Sequence, residues 1–286
     1  MFVIVGLSVV IGSIIGGYLM VGGHLAVLFQ PAELVIIGGS GVGAFIIANN
    51  KETITGAIAA LGGLLKGPKY RAHHYLELLT LQYQIFRFAK SKGMLALESH
   101  IENPHDSDIF QEFPHFLSDH HSLEFFCDYL RLMTLGTDNP LEVESIIDQE
   151  IDAHDHHNLE IAHAVNTMAE AFPGLGIVAA VLGVIHTMGS ITEPPEVLGH
   201  LIGAALVGTF LGILLCYGFV GPMATAMKGN FEADQSYLKC IKAGVIAHLQ
   251  GYAPAVSVEF ARKTLNETVR PTFLELEEAT GSLSPI

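Results

Sequence analysis

MFVIVGLSVVIGSIIGGYLMVG, residues 1–22, carries no charged side chain, and the charge-free run extends to Ala32. A helix needs about 20 apolar residues to cross a hydrocarbon core of ~30 Å, so this stretch alone predicts a membrane protein. It lacks the basic start and the small-residue cleavage site of a signal peptide, and another hydrophobic segment follows it. It therefore reads as a retained first span. Working outward, three more candidate spans lie at roughly 33–49, 172–191 and 200–221. The second is short and glycine-rich (Gly38, Gly39, Gly41, Gly43) and needs neighbours to pack against. The expected fold is an all-α membrane protein, four transmembrane helices with a large helical cytoplasmic domain. Its blocks are spans one and two (1–49), a polar helical domain (50–170), spans three and four (171–222) and a polar tail (223–286).

The cations set the orientation. All 14 Lys and Arg fall in the two polar regions, eight between Lys51 and Arg131 and six between Lys228 and Arg270. The short loops around His24–Ala32 and Thr192–Leu198 contain none, so the positive-inside bias places both termini and both polar regions in the cytoplasm. A mean hydropathy of +0.44 hides this segregation. The net charge of −15 excludes nucleic acid as a partner, because no basic patch is present to neutralise phosphates. Three widely spaced cysteines, Cys127, Cys216 and Cys240, read as reduced thiols.

The spans are poor in ionisable groups. Spans three and four contain no acid or base in their interiors except His186, toward the periplasmic end; Thr187 and Thr209 are their main polar groups. Glu33 is expected at the periplasmic interface, where the second span starts. Ion-moving proteins usually carry an intramembrane carboxylate. If this chain moves ions, that group comes from another subunit; otherwise the chain is an anchor or scaffold. Gly12-Ser-Ile-Ile-Gly16 and Gly208-Thr-Phe-Leu-Gly212 have the small-residue spacing that lets helix backbones approach closely, within one chain or between copies. Pro173 and Pro222 stand at the cytoplasmic ends of spans three and four. They read either as helix punctuation or as a flexible rim that couples channel occupancy to the cytoplasmic domain.

The 15 histidines include His154-Asp-His-His157, His163 and the pairs His73-His74 and His120-His121. None shows a closed ligand set with metal-site spacing, so no metal is expected. The acidic stretch from Asp138 to Asp155 reads as a hydrated face. No phosphate loop, nucleophile elbow or redox Cys-x-x-Cys occurs, so neither a cofactor nor enzymatic activity is expected.

Several segments carry a resemblance. They are Gly16-Gly-Tyr-Leu-Met20, Gln30-Pro-Ala-Glu-Leu-Val-Ile-Ile37, Gly174-Leu-Gly-Ile-Val-Ala-Ala180, Val207-Gly-Thr-Phe-Leu-Gly-Ile-Leu-Leu215, Gly251-Tyr-Ala-Pro-Ala-Val256 and Glu259-Phe-Ala-Arg-Lys-Thr-Leu265. In order and spacing the whole chain resembles the MotA family, the four-span stator subunits of the bacterial flagellar motor. The resemblance implies a multi-pass protein of the bacterial inner membrane. It further implies a ring of five subunits around two copies of MotB, which supplies the proton-accepting aspartate and a peptidoglycan anchor. The cytoplasmic domain would push on the rotor protein FliG.

Carried over by position, Lys90 and Glu98 face the rotor. The family often has arginine at the first position; lysine keeps the charge but loses the planar fork. Arg87, one helical turn earlier, shares that role, and Glu150 lies near the rotor contacts. Pro173 and Pro222 match coupling prolines, while Thr209 and Ala180 line the space facing the partner helix. Sodium-driven relatives tend to carry a hydroxyl where Ala180 stands. Alanine offers a dehydrated sodium ion no oxygen, so proton use is expected. Two other readings stand beside this one: an energiser resembling ExbB and TolQ, which usually have three spans, and a non-conducting membrane scaffold.

Overall fold

The computed structural model describes residues 2–137 and 139–283. Met1, at the head of the first span, and Asp138, at the head of the acidic stretch, lie outside them. The main elements are α1 (Phe2–Met20), α2 (Leu25–Leu28), α3 (Pro31–Leu34), a π turn (Val35–Gly39), α4 (Ser40–Ala48), α5 (Lys51–Leu64) and α6 (Ala72–Lys92). A 3₁₀ turn (Met94–Leu97) leads to α7 (Glu98–Glu102), α8 (Asp108–Gln111), α9 (Pro114–Leu117) and α10 (His120–Thr134). Then come α11 (Pro140–Met188), α12 (Pro195–Leu214), a second π turn (Leu215–Val220), α13 (Gly221–Leu249), α14 (Pro254–Lys263) and α15 (Phe273–Gly281). No strand occurs among the described residues.

Among the described residues, four helical segments are long and apolar enough to cross a membrane: Phe2–Met20, Leu25–Ala48, Pro140–Met188 and Pro195–Leu249. Two expectations change. The stretch long and apolar enough for the second span begins at Leu25, interrupted at Phe29 and Gln30, so much of the expected loop around His24–Ala32 is helical and Glu33 lies within that stretch. The reason is composition: Leu25–Leu34 is apolar apart from Gln30 and Glu33, and Pro31 occupies the first turn of α3, where it has no hydrogen bond to lose. The second change concerns the prolines. Pro173 lies inside α11, and Pro222 is the second residue of α13, which continues directly from the π turn. Neither ends its helix, so the punctuation reading fails. A π turn just ahead of Pro222 relieves the clash of its ring with the preceding turn, so the helix goes on.

The chain forms two compact units, Met1–Gly67 with His156–Phe231, and Pro68–Asp155 with Glu232–Ile286. Residues 51–64, 156–170 and 223–231 thus group with the spans rather than with the other polar residues. In the first unit, Ala57 and Leu64 of α5 pack with Ile161, Ala162 and Val165 of α11 and with Ala224 and Met227 of α13. Asn50 caps α5 by accepting the Thr53 N–H at 2.8 Å. Deeper among the spans, Ile37, Phe172, Ala179 and Cys216 form a second cluster. Helix α1 buries none of its residues within the chain, which suits a surface that meets lipid or another subunit.

The second unit is built on α6. Tyr75, Leu78, Leu79, Gln82, Ile85, Phe86 and Ala89 recur at three- and four-residue intervals and are all buried. They face Phe126 and Leu130 of α10, Val143 and Ile147 of α11, and Cys240, Ile241 and Val245 of α13. Helices α14 and α15 also pack on α6. Gln82 is the polar member of this stripe; its Nε2 donates to the Ile241 carbonyl at 3.1 Å, and Gly244 leaves room for its amide. Arg262 ties the C-terminal end together. Its guanidinium makes paired bonds of 2.7 Å to Glu259 and donates to the Pro271 carbonyl at 2.8 Å.

Candidate functional site

The first candidate region is the contact between spans three and four. A Cβ added to Gly176 would lie 2.8 Å from the Gly208 carbonyl oxygen and 3.0 Å from the Gly212 Cα. One added to Gly212 would lie 2.5 Å from the Phe172 carbonyl oxygen, and one on Gly183 would lie 2.7 Å from the Ala205 Cβ. Gly176, Ala179 and Gly183 of α11 therefore meet Ala205, Gly208 and Gly212 of α12 with backbone nearly on backbone. The Gly208–Gly212 spacing is used inside the chain. Around Gly12 and Gly16, by contrast, an added Cβ would meet nothing within 4 Å, so that face of α1 is open.

Ala180 and Thr209, both half-buried, flank this contact; the Ala180 backbone nitrogen lies 3.2 Å from the position of a Gly208 Cβ. The structure thus brings these two sequence-level candidates to one height in neighbouring spans. Thr187 donates its hydroxyl to the Gly183 carbonyl at 2.9 Å, a satisfied bond within its own helix. Glu33 was not singled out for this place. Its side chain reaches the same contact, with Oε2 only 2.6 Å from where a Gly208 Cβ would be. The sequence signal was available: Glu33 is the one ionisable residue in an apolar stretch from Leu25 to Ala48.

The second region lies in the other unit. Arg87 and Lys90 stand in the last turns of α6, with the Arg87 guanidinium 5.7 Å from the centre of the Tyr83 ring. Lys90 is exposed, and the positive charges of Lys90 and Lys92 suit a helix C-terminus. The helix ends because Gly93 takes φ +88°, and its N–H still bonds the Ala89 carbonyl at 2.9 Å. After the 3₁₀ turn, Glu98 opens α7 and is exposed.

Beside Lys90, His248 stacks on Phe86 with ring centroids 4.4 Å apart. Burial and then the Lys90 charge push its pKa down to about 4, so at neutral pH it adds no charge. Glu150 lies on α11 and accepts a hydrogen bond from the Tyr129 hydroxyl. Sequence reasoning missed two ion clusters here. Arg131 bridges Glu102 and Asp128, and Lys242 meets Asp148 at 2.8 Å and Glu144 at 2.9 Å. Asp128 is one helical turn from Arg131, but Glu102 with Arg131 and both partners of Lys242 are distant in sequence, which spacing alone cannot reveal. Two histidine pairs are in ring contact, His121 stacked on His154 at 4.5 Å and His73 tilted against His74 at 3.9 Å.

Two family models match the chain, one described as Motility protein A N-terminal over residues 4–93 and one as the MotA/TolQ/ExbB proton channel family over residues 118–239. Motility protein A of Salmonella typhimurium is 45% identical over 278 residues, covering 97% of this chain and 94% of the relative. The chain belongs to the MotA family. Its Escherichia coli relative, also named Motility protein A, shows the same 45% identity over 278 residues. The MotA fold is also seen in the solved flagellar MotAB stator complex of Bacillus subtilis, with a TM-score of 0.71 at 25% identity over 90% of this chain and 92% of that one. In the MotAB structure of C. jejuni the TM-score is 0.77 over 93% of this chain and 95% of that one, at 19% identity, a likeness of fold. This MotA-family chain is accordingly a multi-pass inner-membrane protein and a stator subunit of the flagellar motor within a proton channel family.

Proposed function

We propose that the chain, with a MotB partner, forms a proton channel that turns inward proton flow into force on the rotor protein FliG. In this reading five copies surround two partner chains, and blocks 50–170 and 223–286, with both termini, face the cytoplasm. Ala180 and Thr209 face the partner's helix and its aspartate, and Pro173 and Pro222 couple occupancy to movement. Lys90, Glu98, Arg87 and Glu150 contact the rotor.

The observation that carries the reading is the continuity of α11. Glu150, Pro173 and Ala180 belong to one unbroken helix, Pro140–Met188. A change in packing at the channel end of such an element is passed along it, and Pro173, which has no N–H to donate to the Ala169 carbonyl, gives it a place to bend between Glu150 and Ala180. The choice of proton over sodium rests on chemistry: the Ala180 side chain provides no oxygen, Thr209 one hydroxyl and Glu33 one carboxylate, fewer ligands than the several that a cation needs once it has shed its water.

In a strain whose own stator is deleted, this chain and its partner restore swimming whose speed follows the proton gradient and ignores external sodium at constant pH. Swimming that tracks sodium instead contradicts the proton reading.

A further inference from the structure

Among the described residues, no group balances the carboxylate of Glu33. The residue is 7% exposed, and its Oε2 is buried and accepts no hydrogen bond. No Lys or Arg occurs before Lys51, and none occurs in spans three and four. An ionised carboxylate held in such surroundings without a counter-ion or donor is costly, and intramembrane ionisable groups of this kind mark ion pathways.

Its place is built rather than incidental. A Cβ on Gly208 would come within 2.6 Å of Oε2, and a Cβ on Gly183 would lie 3.6 Å from Oε1. The two glycines open a notch between spans three and four, and Ala179 and Ala205 line its sides. Gly183 lies five residues from the Met188 end of α11 and Gly208 thirteen from the Pro195 start of α12, or ~8 Å and ~20 Å along their helices at 1.5 Å per residue. Helices α2 and α3 both pack on α12, and Val27 approaches Gly203, so this segment descends along span four and delivers Glu33 to depth. The π turn Val35–Gly39 follows immediately, a distortion that recurs at functional sites.

We infer that Glu33 is a proton-exchanging residue of the ion pathway, seated between the periplasmic mouth and the partner's carboxylate. This rests on the proton-channel reading above. Glu33 takes a proton from the periplasmic side to become a carboxylic acid. It then releases that proton toward the partner's carboxylate and returns to its ionised form, so one proton enters and one leaves per cycle. The glycine notch keeps the acid clear of both backbones, and any side chain at Gly208 would displace it.

The test measures cytoplasmic pH, after an external acid step, in cells making the chain with a partner whose plug is deleted. Glutamine has the shape of glutamic acid but carries no exchangeable acid proton. Glu33→Gln is therefore expected to slow acidification about tenfold or more while the partner co-purifies in the wild-type amount. Acidification at the wild-type rate in Glu33→Gln overturns the inference and leaves the channel reading standing. If Glu33→Gln fails to assemble, Glu33→Asp decides: flux with a shifted pH dependence supports exchange at this residue, and an unaltered pH profile overturns it. No acidification with the wild-type chain overturns the channel reading and this inference together.

Discussion

Gly212→Val abolishes swimming, although the chain still reaches the membrane. The added Cβ alone would come within 2.5 Å of the Phe172 carbonyl oxygen and 2.9 Å of the Gly176 Cα, both backbone atoms that no rotamer change can move aside. Overpacking usually costs about 1–3 kcal/mol, and a clash of backbone with side chain on the tightest contact belongs at or above the top of that range. Spans three and four must separate, which displaces Ala180 and Thr209 together. Gly199→Val on the same helix is the control, because a Cβ there meets nothing within 4 Å. Swarm diameter, with membrane abundance by immunoblot, reads both variants. Normal swarming by Gly212→Val means that the close approach of the two spans is not needed.

Glu98→Lys also stops swimming, by a different route. Glu98 is exposed at the start of α7 and belongs to none of the buried clusters, so reversing its charge leaves the fold and assembly with the partner intact. Its effect falls on charge pairing with another protein, where a like-charge encounter opposes docking. Co-purification of the partner stays at the wild-type level while tethered-cell rotation ceases, and a reversed charge on the rotor side restores rotation. Normal torque from Glu98→Lys removes the rotor assignment. Lys90→Ala has the smaller effect, because Arg87 and Lys92 keep positive charge on the last turns of α6.

Much of this architecture is legible in the chain because lipid is a demanding solvent. Runs without charge at the first, third and fourth spans leave no other use for those residues, and the structure places helices there. The second span was misjudged at its start. Pro31 and Glu33 look like an interface, and only the packing of α2 and α3 on α12 reveals that the carboxylate travels inward with the helix. The prolines misled for a related reason. Sequence rules treat Pro173 and Pro222 as boundaries, while a continuous α11 and the π turn before Pro222 carry the helices through.

The polar unit was legible only as helical. Lys90 and Glu98 could be assigned through resemblance, since an exposed charge on a helix looks the same with or without a partner. Arg131 with Glu102, and Lys242 with Asp148, join residues far apart in the chain and become visible only when it folds.

The most direct test of the central claim is cytoplasmic pH in cells making this chain with a MotB partner whose plug is deleted, beside the same partner with its transmembrane aspartate changed to asparagine. A two-subunit proton channel predicts acidification in the first strain and none in the second. Acidification that persists in the asparagine control, or none in either strain despite confirmed co-assembly, contradicts it.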